Sequence, residues 1–466
     1  MLRTYQPSRR PPRFVPSRVC DDKRRSPWCA ASKSDADVVV IGGGLAGLAA
    51  CNELEKRNVD YLLLESSDGV GGRVRTDEVD GFLLDRGFAI FLTGYPEAQH
   101  VLDYDGLDLK PFYAGADVRF NGSFHRVADP FRHPMDGVRS LNNPIGSVAD
   151  KILVGLVRFQ TVLGTGTVDE MMSGTGETTI IGRLKDFGFS DAMIDRFFRP
   201  FMAGIFFNRE LTTSSRLFDF VMRMLATGQN CLPAKGIGST QLCDNLAPER
   251  VRLNAKVETV GKRSDDMTRI LSLASGELIT AKKSIIVACE GPEAVNLLGH
   301  SMKASPSKNE PAVGTTCLYF AMDTAPTNDA ILYLDGENKG GIVNNCCFPS
   351  NVASSYAPAG KALASVSLIG VPDQDDASIE ACVRKELSSW FGPNNVATWR
   401  LLRVYRIPYA QPNQEPPTDF FRSSIVDDGL YIAGDHRSSA TFDGALVSGR
   451  KAAEAAAAAF CCGDKP

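Results

Sequence analysis

A run of β-branched residues, Asp37-Val38-Val39-Val40-Ile41, leads directly into Gly42-Gly43-Gly44-Leu45-Ala46-Gly47, and the next apolar run ends at Glu65. A buried strand, a G-x-G-x-x-G turn and an Ala/Leu-rich helix in this order make the opening βαβ unit of a dinucleotide-binding sheet. Gly42 serves the tight turn, Gly44 lets the backbone approach a pyrophosphate, and Gly47 lets helix and strand pack closely. Leu45 and Ala46 begin the helix whose unpaired N–H groups and positive dipole end face the phosphates. Glu65, with Ser66 beside it, sits where a carboxylate accepts hydrogen bonds from an adenosine ribose. These residues alone permit either a nicotinamide or a flavin dinucleotide.

At 466 residues the chain is long enough for two domains. Its net charge of −4 argues against general nucleic-acid binding. No apolar run reaches the roughly 18 residues of a spanning helix, while peripheral contact with a membrane remains compatible. Through Ala30 the chain carries seven Arg and one Lys against two Asp, with Pro and Ser and no apolar core. That composition predicts an organellar transit peptide over 1–35, with Trp28-Cys29-Ala30-Ala31 as a plastid processing stretch. A mitochondrial address and a plain basic tail are the competing readings. The twelve cysteines contain no C-x-x-C and the five histidines are far apart, so buried free thiols are expected and no metal site.

The dinucleotide unit covers 36–105, and a mostly helical stretch follows over 106–229, with amphipathic runs at Val148–Thr161 and Asp191–Phe207. A glycine-rich turn at Leu232–Gly238 precedes a predicted helix through Leu246. Strands are predicted at Val251–Val260, Ile270–Leu273 and Ser284–Ala288. From 312 to 410 the pattern is mainly strands with one helix near Ala377–Trp390, and an alanine-rich helix from Asp443 closes the chain. The interleaving suggests a cofactor domain built from 36–105, 230–295 and 420–460. A substrate domain would then occupy 106–229 and 296–419. The fold class is α/β, with a parallel sheet in the first part and an antiparallel sheet in the inserted α+β domain.

Three motifs in order carry a family resemblance. Glu65-Ser66-Ser67-Asp68-Gly69-Val70-Gly71-Gly72-Arg73 extends the first cluster. Gly81-Phe82-Leu83-Leu84-Asp85-Arg86-Gly87-Phe88 follows, and Gly434-Asp435 with Phe442-Asp443-Gly444-Ala445 comes near the end. Together they resemble the amine oxidase, protoporphyrinogen oxidase and phytoene desaturase superfamily of flavoproteins. The resemblance implies a Rossmann-type domain holding FAD. It places Gly71, Gly72 and Arg73 at the pyrophosphate, Gly87 and Phe88 near the flavin, and the Val257 backbone at the adenine. Asp435 would hold a ribityl hydroxyl beside Gly434, while Phe442 and Ala445 open a helix aimed at the ring. Covalent attachment is not expected, because no Cys lies between Ala410 and Gly449.

The implied chemistry is hydride transfer to the flavin N5, which requires no protein nucleophile. No catalytic residue is assigned, although His436 beside Asp435 is a candidate. Amine-oxidising relatives carry an aromatic residue where this chain has Thr441, and often a Lys soon after the strand matching Ile285–Ala288; here none occurs before Lys303. Arg196–Phe207 resembles a stretch of protoporphyrinogen oxidase-like and carotenoid desaturase-like proteins, its five phenylalanines suited to an apolar pocket or to core packing. The expected substrate is a bulky apolar molecule of isoprenoid, carotenoid, quinone or tetrapyrrole type. Peroxide-forming amine oxidation and a flavin-free lipid-binding protein are the alternatives.

Overall fold

The computed structural model describes residues 33–463, except 164–165, 239–240, 245, 263, 265–267, 300–301, 308–311 and 338–339. The Trp28–Ala31 stretch therefore lies outside the described residues. The first strand spans Asp35–Ile41 and so begins inside the segment expected to be an address. Val38, Val39 and Val40 are fully buried, as suits a strand covered on both faces. It pairs in parallel with Tyr61–Leu64 on one side and with Leu278–Val287 on the other. Val251–Arg252 and Leu430–Ile432 extend the parallel set at its two edges. An antiparallel branch of Arg269–Leu273 and Val257–Val260 grows from the first half of Leu278–Val287.

A second sheet of seven strands runs Arg400–Gln411, Val313–Met322, Ala362–Ile369, Val343–Cys347, Leu332–Asp335, Gly115–Phe120, Ser123–Ala128. It is antiparallel except where Leu332–Asp335 meets Gly115–Phe120. The fold class expected from the alternation of strands and helices is therefore the one observed. Phe91–Leu92, Asn230–Pro233 and Leu109–Pro111 form a small sheet that ties the two parts together.

The first helix, Leu45–Lys56, packs against the closing helix Phe442–Gly463, and their approach depends on glycine. A Cβ at Gly449 would lie 2.1 Å from the Ala46 carbonyl oxygen, and one at Gly47 would lie 1.9 Å from that of Gly42. Gly449 thus brings the closing helix onto the start of the first, and the buried Ala452, Ala453 and Ala456 follow it along the same helix.

Two local expectations are corrected. The strand expected over Val251–Val260 is two strands, Val251–Arg252 and Val257–Val260, broken at Asn254, whose φ is +53°. Residues 253–256 join opposite ends of the pairing order, so the sheet curls. The helix expected through Leu246 is replaced, among its described residues, by turns. Just before them the backbone is drawn to side chains: Ile237 N–H donates to Asp85 at 3.0 Å and Gly238 N–H to Thr76 Oγ1 at 2.9 Å.

The amphipathic run at Asp191–Phe207 is helical to Phe206 but changes to a π-turn over Ile194–Phe198. Pro200 lacks the N–H that a regular α ladder would use, and a π-bulge accommodates that loss. The Asn344 amide donates to the Pro200 carbonyl at 2.9 Å. Among the described residues no helix is long and apolar enough to cross a membrane.

Candidate cofactor and substrate site

A cavity of about 1140 Å3 lies between the two sheets. Ile41, Leu64 and Ala288 line it from the carboxyl ends of three parallel strands, and Thr315, Leu334, Asn345 and Tyr405 line it from the antiparallel sheet. Ligands of open parallel sheets bind at such strand ends.

Of the residues assigned from sequence, Gly42, Gly44, Leu45, Ala46, Glu65, Ser66, Gly71, Gly72, Arg73, Gly87, Phe88 and Val257 all line this cavity. So do Gly434, Asp435, Phe442 and Ala445, although they lie in a distant part of the chain. Gly47 does not; its missing Cβ serves the helix–strand contact, the packing role read for it from the sequence. His436 is a correction. It is fully buried, lines no part of the cavity, and neither ring nitrogen has a hydrogen-bond partner. Burial lowers its pKa to about 3, so the ring stays neutral and packs over Gly434 rather than serving as an acid or base.

The turn after the first strand has the features of a diphosphate cradle. Gly42 takes φ +103°, a conformation that favours glycine. Gly44 has an ordinary φ of −76°, and a Cβ there would meet no protein atom within 4 Å. The fold itself therefore does not demand glycine at 44; the open space is cavity. No side chain caps the helix that starts at Leu45, leaving its first N–H groups for an anion. Glu65 closes the turn, accepting from Gly43 N–H at 2.7 Å and from the Ser67 N–H and hydroxyl at 2.8 and 2.7 Å.

Arg73 and Asp435, expected to act at separate points of the cofactor, are joined here. The guanidinium donates to both carboxylate oxygens at 2.7 and 2.9 Å and to the Ala410 carbonyl at 2.9 Å, and lies over the Tyr409 ring. Burial pushes the Asp435 carboxyl up, but the Arg73 charge, its hydrogen bonds and the neighbouring His436 together outweigh it and hold the group below its usual range. A buried carboxylate requires such a partner. Burial, with the charges of neighbouring carboxylates, raises nearby Glu290 and pushes the Cys289 thiol up to about 12, so Cys289 remains protonated.

The closing helix enters the cavity at Thr441, whose Oγ1 accepts from Gly444 N–H at 3.0 Å and so caps the helix. The far end is apolar: Pro200, Phe201, Ile205, Val221, Leu225 and Leu332 line it, with Asn345 as a polar neighbour. Of the phenylalanine-rich stretch, Phe201, Phe206 and Phe207 line the cavity, whereas Phe198 packs in the core. Val221, Leu225, Leu332 and the strand Arg400–Gln411 were not singled out from sequence. Their apolar or alternating patterns are those of any core element, so nothing local marked them. Among the described residues no group of His, Cys, Asp and Glu forms a metal site.

These geometries fit FAD. The turn Gly42–Ala46 would hold the diphosphate, Glu65 the adenosine ribose, Val257 the adenine, and Asp435 with the closing helix the flavin end.

A family model described as flavin containing amine oxidoreductase matches residues 45–457, and the chain belongs to that family. It is accordingly an FAD-dependent oxidoreductase, and the flavin-free binding-protein reading is set aside. The 15-cis-phytoene desaturase, chloroplastic/chromoplastic, of Narcissus pseudonarcissus is 22% identical over 461 residues, covering 90% of this chain and 79% of its own. Polyamine oxidase 3 of Oryza sativa subsp. japonica is 49% identical over 130 residues, 26% of each chain. Cyclohexylamine oxidase from Brevibacterium oxydans shares the fold at a TM-score of 0.66 and 16% identity, over 91% of this chain and 99% of the other. Putrescine oxidase bound to putrescine does so at 0.60 and 15%, with the same coverage.

Proposed function

We propose that this chain is a plastid FAD-dependent oxidoreductase that dehydrogenates a bulky apolar substrate of isoprenoid, carotenoid, quinone or tetrapyrrole type. The observation that carries the reading is the division of the cavity. Of its described lining carboxylates, Glu65 and Asp435 belong to the cofactor turns, Glu290 and Glu293 to the start of the helix Gly291–Leu298, and Asp77 to an ion pair with Arg86. The end formed by Phe201, Ile205, Val221 and Leu225 offers apolar surface and no counter-ion for an ammonium group.

Bound FAD supplies the acceptor for a hydride equivalent. The chain's own part is positional: apolar side chains orient the substrate and exclude water, and the Thr441-capped helix directs its positive end into the site. The chloroplastic and chromoplastic naming of the desaturase relatives and the basic first 35 residues support the plastid.

Anaerobic mixing with a panel of plastid prenyl lipids, quinones, tetrapyrroles and polyamines tests the proposal. Bleaching of the flavin by an apolar compound is expected. The segment matching polyamine oxidase favours an amine as the second reading; bleaching by polyamines alone, with peroxide on readmitting air, would establish that reading instead.

A further inference from the structure

The helix Val148–Leu163 is apolar on two sides. Leu153, Val154 and Val157 pack inward on the core, and its polar side chains are held down too, with the exception of the exposed Gln160. Asp150 is buried and accepts from the N–H groups of Ser147 and Ser190 at 2.6 and 2.8 Å. Lys151 donates to the carbonyls of Leu141 and Asn143, and Arg158 pairs with Asp129 at 2.9 Å. Val148, Ile152, Leu156, Phe159 and Val162 form a stripe on the outside, with Ile152 57% and Phe159 53% exposed. The neighbouring segment adds Phe131, Met135 and Val138, Met135 being 69% exposed. Isolated exposed apolar residues need no explanation, but a contiguous group marks an interaction surface.

The charges of this face favour one kind of partner. Among the exposed residues of 129–162, the only charged one is Arg139, a cation. The three acids of the segment are withdrawn: Asp129 on Arg158, Asp136 on the Tyr113 hydroxyl and Arg139, Asp150 in the serine cluster. In a chain with more acids than bases, a face that exposes no carboxylate suits an anionic lipid surface. Continuity with the cavity points the same way. The inner side of the helix packs on Ser215–Thr227, whose Val221 and Leu225 line the apolar end of the cavity. Arg132, next to Phe131, donates to the Leu225 carbonyl at 3.2 Å.

We propose that the apolar stripe of Val148–Leu163, with Phe131, Met135 and Val138, seats the protein on an anionic lipid bilayer beside the apolar end of its cavity. The helix is 16 residues long, about 24 Å, so it lies in the interface rather than crossing it. The claim concerns the surface alone and does not rest on the identity of the substrate.

Vesicle flotation of the full chain tests it, using phosphatidylcholine–phosphatidylglycerol vesicles without any substrate. The wild type is expected to float and to remain partly bound at high salt, because apolar insertion is not screened. The triple variant Ile152→Ser, Leu156→Ser, Phe159→Ser should partition on the order of a hundredfold more weakly, up to about tenfold per buried apolar side chain. Its flavin spectrum and melting temperature should be unchanged, since all three residues are exposed. A Phe159→Trp variant guards against misfolding of the triple variant: its indole emission should shift to the blue on adding vesicles. A wild type that stays with the soluble fraction, a triple variant that floats equally well, or an unchanged emission from the Phe159→Trp variant would each overturn the proposal. So would a wild-type dimer that the triple variant dissociates without any vesicle binding, since a second copy would then be what covers the face.

Discussion

Gly47→Ala places the two demands on the first helix in direct opposition. Alanine is the better helix former by about 1 kcal/mol, so propensity alone predicts a gain. The fold reverses the sign. A Cβ at position 47 falls 1.9 Å from the Gly42 carbonyl oxygen, more than 1 Å inside the 3.0 Å that real Cβ atoms keep. The obstacle is backbone, so the helix must draw back from the strand, at about 1–3 kcal/mol or more for overpacking. The part displaced is the Gly42–Ala46 turn that lines the cavity. The expected result is a lower melting temperature and FAD binding weakened by at least about tenfold. Gly155→Ala is the control, since a Cβ there meets nothing within 4 Å in the helix Val148–Leu163. It should stabilise by about 0.5–1 kcal/mol. Thermal melts with and without FAD and a fluorescence titration of FAD read both effects. A Gly47→Ala protein that melts at or above the wild type and holds FAD equally well would refute the packing argument.

Asp435→Asn leaves Arg73 without its charge-assisted pair, a loss of about 1.5–3 kcal/mol; equilibrium dialysis should show FAD held about tenfold to a hundredfold more weakly. His436→Phe tests the neutral imidazole. Its folded pKa is lowered to about 3, against about 6.5 unfolded, so between those values only the unfolded chain takes up the proton and stability falls with pH. Asp85 and Asp443, raised by burial to about 6, act in the opposite sense, which makes the comparison with the variant the useful measure. From pH 7 to 5 the wild type should lose about 2 kcal/mol more than His436→Phe in urea unfolding; equal slopes would mean that the ring protonates while folded. Phe201→Ser removes a ring from the apolar end and should weaken an apolar substrate about tenfold with FAD affinity unchanged, read by anaerobic flavin reduction. A parallel loss of FAD would place Phe201 against the cofactor instead.

The legible parts of the site were those in which one short segment carries both structure and chemistry. Gly42–Gly47 is a strand end, a turn and a helix start within a few residues, and each position has its own steric reason. The alternation of β-branched runs with helices likewise indicated the parallel sheet, and the strand-rich 312–410 region the antiparallel one. The misreadings came where distant partners compete for the backbone. Residues after Gly238 have a composition that permits a helix, but Thr76 and Asp85 take the N–H groups just before them. His436 stands next to Asp435 in the chain, yet the turn of the backbone carries its ring into the core.

By itself the sequence determined the dinucleotide turn, the order of the elements and the residues the cofactor half requires, because those depend on local backbone geometry. Tertiary structure alone decided the rest. It joined Arg73 to Asp435 across 362 positions, since two charges leaving water together need each other. It gathered Phe201, Val221, Leu225 and Leu332 into one apolar end, and it left one of the two apolar sides of Val148–Leu163 facing outward. An apolar side chain carries no local mark of whether it faces a core, a substrate or a lipid; only the packing of its neighbours settles which.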